Sequence, residues 1–452
     1  MSNKRETGDI LIGKNVKEPD NRFFFWYSKK TMLDIKFIRE NPELIKDAAQ
    51  KKHVDFDVSE LLKLDELRLE KLSLFETLRA EQNAVSEKIP SATAEERADL
   101  IAKMTILKED LKKREEELAD VMKDWQKMML FVPNIPDPAA PVGDDESGNV
   151  VVDTWGEKPH FDFEPKDHIE IMTSLGMVDF DRGTKVHGFR GYFLTGDGVR
   201  LCFAIWNYAM DFWNTKGFNP VIPPMNVRRE SLLGCGFIPQ GEADIYKAQD
   251  DTYFVGTSEV PLMGMYMNEV LDKSQLPIKM LGFSPCYRLE AGSHAKDTKG
   301  LIRVNEFYKL EQLVLCEASH SESVAMHKEI EQNTEDFIKT LGIPYEVMDI
   351  CTGDMSLGKV RAYDINLWVP KEGTYREISS ASYFHDFQTR RLNIRYKDSD
   401  GKMRFVHSLN CTAIPTPRIL VSLVENFQQA DGTVKIPEVL RPYIGGKEFI
   451  GK

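Results

Sequence analysis

The spacing of apolar residues changes character twice along this chain. Residues 1–31 show no period and mix charges with glycines. From Met32, "MLDIKFIRENPELIKDAAQKK" reads as a short helical start. Asn41-Pro42 opens a helix there, since proline is pre-shaped for the first helical position and lacks only an N–H that would be unused. From about Val58 to Met128 the chain is Leu, Glu and Lys with almost no Gly or Pro. Leu64, Leu67, Leu74, Leu78, Val85 and Ile89 recur at 3-4 spacing, with the stripe interrupted at Lys71 and Glu81. After the break "PSATAEE", Thr93 and Glu96 form a capping box. Leu100, Met104, Leu107, Leu111, Leu118, Val121 and Trp125 then keep the same rhythm. Two facing seams joined by one tight connection predict an antiparallel helical hairpin of coiled-coil type. Pattern alone leaves open whether it is a spacer or dimerisation arm or a partner-binding arm.

"FVPNIPDPAAPVGDDESGN" (Phe131–Asn149) is a Pro/Gly/Asp-rich linker. Beyond it, 199–216 reads as an aromatic-rich helix and Phe218–Val227 as a Pro-interrupted edge or interface strand. Strands then dominate. A helix over His320–Leu341 interrupts them, and a last helix is entered through the prolines of "IPTPRILVSLVENFQQ". Strands joined by hairpins, rather than alternating with helices, predict an antiparallel sheet and an α+β fold. The expected division is an extension over 1–31, a helical arm over 32–130, a linker over 131–150 and a mixed domain over 151–452. The extension cannot bury enough apolar surface to offset its ordering entropy and is expected to be disordered and dispensable. The competing reading makes "FFFWYSKK" (Phe23–Lys30) a hydrophobic latch.

Composition narrows the function. The 452 residues carry 42% hydrophobic and 29% charged side chains, ordinary for a globular protein of two or three domains. A net charge of −13 excludes nucleic-acid binding by bulk charge but not through a local basic surface. The six cysteines form no CxxC pair, which argues against a zinc site or a disulfide framework. "FFFWY" is too short to span a membrane. No GxGxxG or GxxxxGK[ST] loop appears, so side chains must hold any nucleotide.

Four stretches carry chemistry. "CYRLEAGSHAKDTKGLIRVNEFYKLEQ" (Cys286–Gln312) is a strand, a polar loop and a strand. Arg288 and Arg303 flank the loop, with Glu290, Glu306 and Glu311 near them. Guanidinium offers a rigid fork for phosphate or carboxylate. "GTSEVPL" (Gly256–Leu262) places Thr257 and Glu259 on one side of a strand end. "REISSAS" (Arg376–Ser382) sets Glu377 close before Ser379 and Ser380, oxygen ligands of the kind Mg²⁺ takes alongside phosphates. "LNCTAIPTPRILVSLVEN" (Leu409–Asn426) puts Arg418 at a helix entrance, where backbone N–H groups also favour anions.

Together with the hairpin arm and the tail "IPEVLRPYIGG", the order and spacing of these stretches resemble bacterial-type seryl-tRNA synthetase, a class II aminoacyl-tRNA synthetase, from Met32 to Gly446. The resemblance implies a cytoplasmic homodimer with Pro223 at its interface. It implies ATP-dependent attachment of L-serine to tRNA(Ser) through seryl-adenylate, with tRNA(Sec) as a further candidate acceptor, and an arm that reaches the tRNA. Arg288 would bridge the serine carboxylate and the α-phosphate, and Arg418 would hold the γ-phosphate. Glu377 and Ser380 would ligate Mg²⁺, Glu290 would lie by the adenine and Phe307 would stack on it. Leu289, Ile378 and Ser379 complete the expected ATP site. Thr257, Ser258, Glu259, Glu311, Asn410 and Thr412 make the expected serine site. In it Glu311 and Thr412 read the hydroxyl, while Thr257 and Glu259 face the ammonium.

The chain departs from that pattern in three places: Cys411 where glycine is usual, Pro415-Thr416-Pro417 before the arginine, and Asn305-Glu306 in the second hairpin strand. Two rival readings are a ligase that loads an amino acid onto a carrier protein and an inactive dimeric paralogue. The arm weighs against the first and the intact site residues against the second.

Overall fold

The computed structural model describes residues 34–291 and 297–451. Residues 1–31, with the Phe23–Lys30 latch reading, lie outside them. By internal packing the chain divides into two units. One comprises Glu66–Asp124; the other joins Met32–Asp65 to Trp125–Lys452. The division falls inside the two long helices rather than at residues 130–131.

The larger unit begins with helices α1 (Ile35–Glu40) and α2 (Pro42–Lys51), the latter opened by proline as expected. Ile35, Ile38 and Ile45 are buried against Val58 and Leu61, at the start of α3 (Val58–Lys88), and against Trp125 and Met129, at the end of α4 (Ala94–Met129).

In the smaller unit α3 and α4 run antiparallel, as Lys71–Glu117 (2.9 Å) and Lys103–Glu81 (2.6 Å) show. The two positions that interrupt the apolar stripe are therefore ion pairs across the hairpin. Phe75, Leu111 and Leu118 are buried, with Leu72, Leu78 and Met122 packed against them. Leu67 and Leu74 depart from the expected seam and lie 38% and 42% exposed. The Phe75 ring sets the phase: with residue 75 inward, residue 74 is turned about 100° away. The Thr93–Glu96 box forms reciprocally, the Thr93 N–H donating to Glu96 (2.9 Å) and the Glu96 N–H to Thr93 Oγ1 (3.4 Å).

The body of the larger unit is an eight-stranded sheet. Its strands are β1 (Val150–Trp155), β2 (Asn219–Val221), β3 (Ile278–Tyr287), β4 (Glu306–Cys316), β5 (Tyr345–Asp349), β6 (Arg361–Val369), β7 (Thr374–His385) and β8 (His407–Thr416), in the order β1-β5-β6-β7-β8-β4-β3-β2. All neighbours pair antiparallel except the edge strand β2, which lies parallel to β3. Helices α5 (Gly196–Thr215), α6 (Glu259–Met265), α7 (His320–Leu341) and α8 (Arg418–Asn426) complete the frame used below. Alternation along the strands divides the two faces. Leu310 and Val314 of β4 join Ile378, Ala381, Leu409 and Cys411 in the main core, while Leu313 and Leu315 join Val260 and Leu262 of α6 in a second one. All six cysteines are free and buried. Among the described residues no helix is long and apolar enough to cross a membrane.

Candidate active site

The face of the sheet toward α6 is polar at its centre, and register explains why. Glu311 of β4 stands opposite Thr412 of β8, and Asn410 opposite Ser382 of β7. Asp364 of β6 stands opposite Ser380. A bulge between Ile365 and Asn366 shifts the pairing, so that Glu377 opposes Asn366 while Ser379 opposes Ile365. Three residues apart on a regular strand, Glu377 and Ser380 would face opposite sides. The extra residue lets both face one cavity.

That cavity, of about 720 Å³, is lined by Thr257, Glu259, Arg288, Glu311, Glu377, Ser380, Asn410 and Thr412. A smaller one, of about 70 Å³, is lined by Arg288, Glu290, Phe307, Glu377, Ile378, Thr412 and Arg418. Arg288, Lys309, Glu377 and Thr412 belong to both walls. The expected site residues thus converge, with three exceptions. Ser258 is buried and shares a hydrogen bond with Ser284 (2.7 Å). The Ser379 hydroxyl donates to the Thr412 carbonyl (2.5 Å). Leu289 is 40% exposed and lines neither cavity. These three contribute to the frame rather than the lining.

One local expectation needs correction, and two residues of the pattern gain a structural setting. Thr257 sits on the turn into α6 and Glu259 opens that helix, because the preceding strand ends at Phe254. Glu290 is held by Arg303 (2.8 Å) and approached by Arg190 (3.9 Å), so carboxylate and guanidinium meet across the loop beginning at Arg288. Cys411 faces the main core, its Sγ 3.4 Å from Thr334 Oγ1 and 3.3 Å from Ser379 Oγ, and burial pushes its thiol up to about 12. The loss of a glycine at that position therefore leaves the cavity lining untouched. Asn305, another departure, donates to the carbonyls of Arg288 (2.9 Å) and Leu289 (3.2 Å), and so fixes the start of the loop.

The electrostatics are those of a substrate site rather than a settled core. Arg288 donates to the Gly256 carbonyl at 3.3 and 3.4 Å and lies 5.4 Å from the Phe307 ring. Arg418 donates to the carbonyls of Ile302 (3.0 Å) and Glu377 (2.8 Å), and burial lowers its pKa. Among the described residues neither arginine makes an ion pair with a carboxylate, although the Glu377 charge acts on Arg418. Glu259 accepts from Gln388 (2.5 Å); burial, then the nearby Glu311 charge, raise it to about 7. Glu311 is paired with Lys309, and Lys309 also donates to Thr257 (2.8 Å).

Glu377 and Ser380 fit a divalent ion, and Asp364 joins them. Among the described residues Asp364 Oδ1 is shut off from solvent without a hydrogen-bond partner, and although Ser380 hydrogen-bonds this carboxyl, burial followed by the Glu377 charge raises it to about 7. An unpaired buried carboxylate oxygen calls for a cation. Among the described residues no three His, Cys, Asp or Glu side chains converge on one metal position, so such an ion would complete its oxygen shell from a ligand such as phosphate.

Sequence reasoning missed Lys309, Lys359, Asp364 and Gln388. Lys309 was readable, since it lies between Phe307 and Glu311 on the same face of one strand. Asp364 needed the β6–β7 register. Lys359 and Gln388 needed the tertiary fold.

Residues 245–427 match the tRNA synthetase class II core domain (G, H, P, S and T), and residues 32–136 match the seryl-tRNA synthetase N-terminal domain. The serine–tRNA ligase of Deinococcus radiodurans is 44% identical over 93% of this chain and 99% of its own. Among solved structures, the seryl-tRNA synthetase from Pyrococcus horikoshii complexed with ATP superposes with a TM-score of 0.84 at 40% identity, covering 93% of this chain and 99% of that one. The cytoplasmic serine–tRNA ligase from Naegleria fowleri in complex with AMP gives 0.81 at 34% identity, covering 93% and 98%. With its arm, its sheet and these two cavities, the chain belongs to the seryl-tRNA synthetase family.

Proposed function

We propose that this chain activates L-serine with ATP and transfers it to tRNA(Ser), working as a cytoplasmic homodimer. The observation that carries the reading is the shared wall of the two cavities. Arg288 stands between a pocket of hydroxyl- and ammonium-recognising groups and a pocket bounded by Phe307, Glu290 and Arg418. That is the arrangement in-line displacement needs. Arg288 holds the serine carboxylate against the α-phosphate, and the carboxylate oxygen attacks phosphorus as pyrophosphate leaves. The terminal ribose hydroxyl of the tRNA then attacks the activated carbonyl and AMP departs.

Both steps spread charge over phosphate oxygens, so positioning and fixed cations supply most of the rate. Arg418 holds the γ-phosphate, Phe307 stacks on the purine, and Glu290 lies by the adenine. Glu377 and Ser380, with Asp364 behind them, would hold Mg²⁺, which would neutralise phosphate charge. Glu311 and Thr412, with Asn410, read the serine hydroxyl. Alanine would lack the hydroxyl these groups read, so the site would lose that contact and discriminate against it. Thr257 and Glu259 take the ammonium. Exposed Phe193, Phe203, Ile222 and Met225 support burial of a second copy, and the helical hairpin supports a reach toward tRNA.

ATP–pyrophosphate exchange with each of the twenty amino acids, followed by tRNA charging, tests the reading. Serine-dependent exchange with charging is expected. Exchange without charging would favour a carrier-protein ligase, and no exchange an inactive paralogue.

A further inference from the structure

Lys359 enters the 720 Å³ cavity from the loop that ends at β6. Its ammonium donates to Ser380 Oγ at 3.2 Å. Among the described residues that hydroxyl is its one hydrogen-bond acceptor, and it has no ion-pair partner. A lysine can donate three hydrogen bonds, so it is under-used here. It is nonetheless felt by the carboxylates around it, lowering the pKa of both Glu259 and Asp364. Lys309, on the same wall, is by contrast committed to Glu311 and Thr257.

The backbone that presents Lys359 is unusually well tied. The Lys52 ammonium, buried at the end of α2, donates to the carbonyls of Ser356 (3.3 Å), Leu357 (3.0 Å) and Lys359 (2.5 Å). Asn134 takes the Leu357 carbonyl with its N–H (2.9 Å) and the Gly358 carbonyl with its side chain (3.0 Å). The Asp137 N–H takes that of Val360 (2.8 Å). Five consecutive carbonyls are thus fixed. A fixed backbone bearing a nearly uncommitted ammonium, aimed at a hydroxyl expected to hold a metal, describes a preorganised cation.

We propose that Lys359 is a phosphate-binding residue of the nucleotide site, a built-in cation that touches the ATP phosphates beside the divalent ion, with the Ser380 hydroxyl as its resting partner in the free protein. This rests on the proposed function, with the phosphates reaching past Arg288, on the wall the two cavities share, to Ser380 and Lys359 in the larger one. Lys52 is the positioning residue behind it.

The test is calorimetric binding of ATP and of adenosine to the full chain in EDTA, for the wild type, K359M and K359R. Removing one charge-assisted hydrogen bond to phosphate weakens metal-free ATP binding roughly ten- to a hundredfold. K359M should show that weakening with adenosine binding unchanged, and K359R should recover most of the affinity. Unfolding temperatures identify a variant that has merely lost its fold, in which case adenosine binding would fall as well and K359R would carry the comparison. Metal-free ATP binding by folded K359M equal to wild type overturns the inference. So does a wild type that exchanges pyrophosphate with Mg²⁺ but binds no ATP in EDTA. A wild type with neither exchange nor ATP binding would instead sink the ATP-site reading itself.

Discussion

The hairpin of Glu66–Asp124 and the polar face of the sheet are built from the same residue types to different ends. In the hairpin the ion pairs are local and complete: Lys71 meets Glu117, Lys103 meets Glu81, and Glu117, drawn down by Lys71 and then Arg114, titrates below its usual range. On the sheet face the charges are left partly unanswered. Glu259 is raised, Asp364 has an unpaired buried oxygen, and Arg288 and Arg418 rest on carbonyls. Solvated pairs of the first kind add little stability each, and a seam of leucines can carry them anywhere along its length. Unanswered buried groups of the second kind cost stability and persist where a ligand completes them. Charge that is satisfied marks the scaffold here, and charge that is held open marks the site.

The sharpest way to break that contrast is to remove one side of it. Joining Asp65 to Trp125 by a short turn should destroy tRNA charging while serine-dependent exchange stays within about twofold. A wider cut, from Val58 to Met128, would also strip Val58, Leu61 and Trp125 from the cluster around Ile38 and Ile45 and destabilise the remainder. Loss of exchange after the narrower cut, in a folded product, would show that the hairpin supports the site itself.

Within the site, Arg288→Ala should cost about 3–4 kcal/mol of transition-state stabilisation, two to three decades in exchange rate, with the fold intact. Near-normal exchange by the folded variant would remove Arg288 from the reacting centre. Lys52→Met sharpens the comparison one step further out. Burial, then the Lys359 charge, pull this lysine down to about 7, but three carbonyl acceptors require three donors and hence the ammonium form. Methionine would leave those carbonyls short of partners, for a loss of about 2–4 kcal/mol by urea unfolding and a raised KM for ATP. A stability loss with KM unchanged would confine Lys52 to the fold.

The two regions also differed in how far the sequence disclosed them. The hairpin was legible because its information is periodic and local. Val85, Leu107, Leu111, Leu118 and Trp125 are all buried as expected. Only the phase in α3 slipped, where Leu67 and Leu74 looked equivalent to the true inner positions until Phe75 was placed. In the sheet, helix His320–Leu341 was legible to the residue, and most expected lining residues converge. What stayed hidden depends on register and on long-range ties. Asp364 reaches the site through a strand pairing, Glu377 and Ser380 share a face through one bulge, and Lys359 is presented by a lysine 307 positions earlier.

The smallest effect expected is one of sign, and it tests whether open charge costs stability. Glu259 has a folded pKa of about 7 against an ordinary value of 4.5, so between those pH values the folded state binds more protons than the unfolded one. Stability therefore falls as pH rises through this window, and the full cost is in force above about pH 7. Glu259→Gln keeps an oxygen for the Gln388 donor but removes the charge. The variant should gain about 1–3 kcal/mol at pH 8 and little at pH 5, read as the difference in unfolding free energy, while its serine affinity drops for want of a counter-charge to the ammonium. Glu117→Gln in the hairpin should run the other way. Its folded pKa is depressed, so whatever it contributes is present above its unfolded pKa and is lost as pH falls through the folded one. If Glu259→Gln gained equally at pH 5 and pH 8, the gain would come from packing and not from relief of a buried charge. The carboxylate at Glu259 would then be as settled as those of the hairpin.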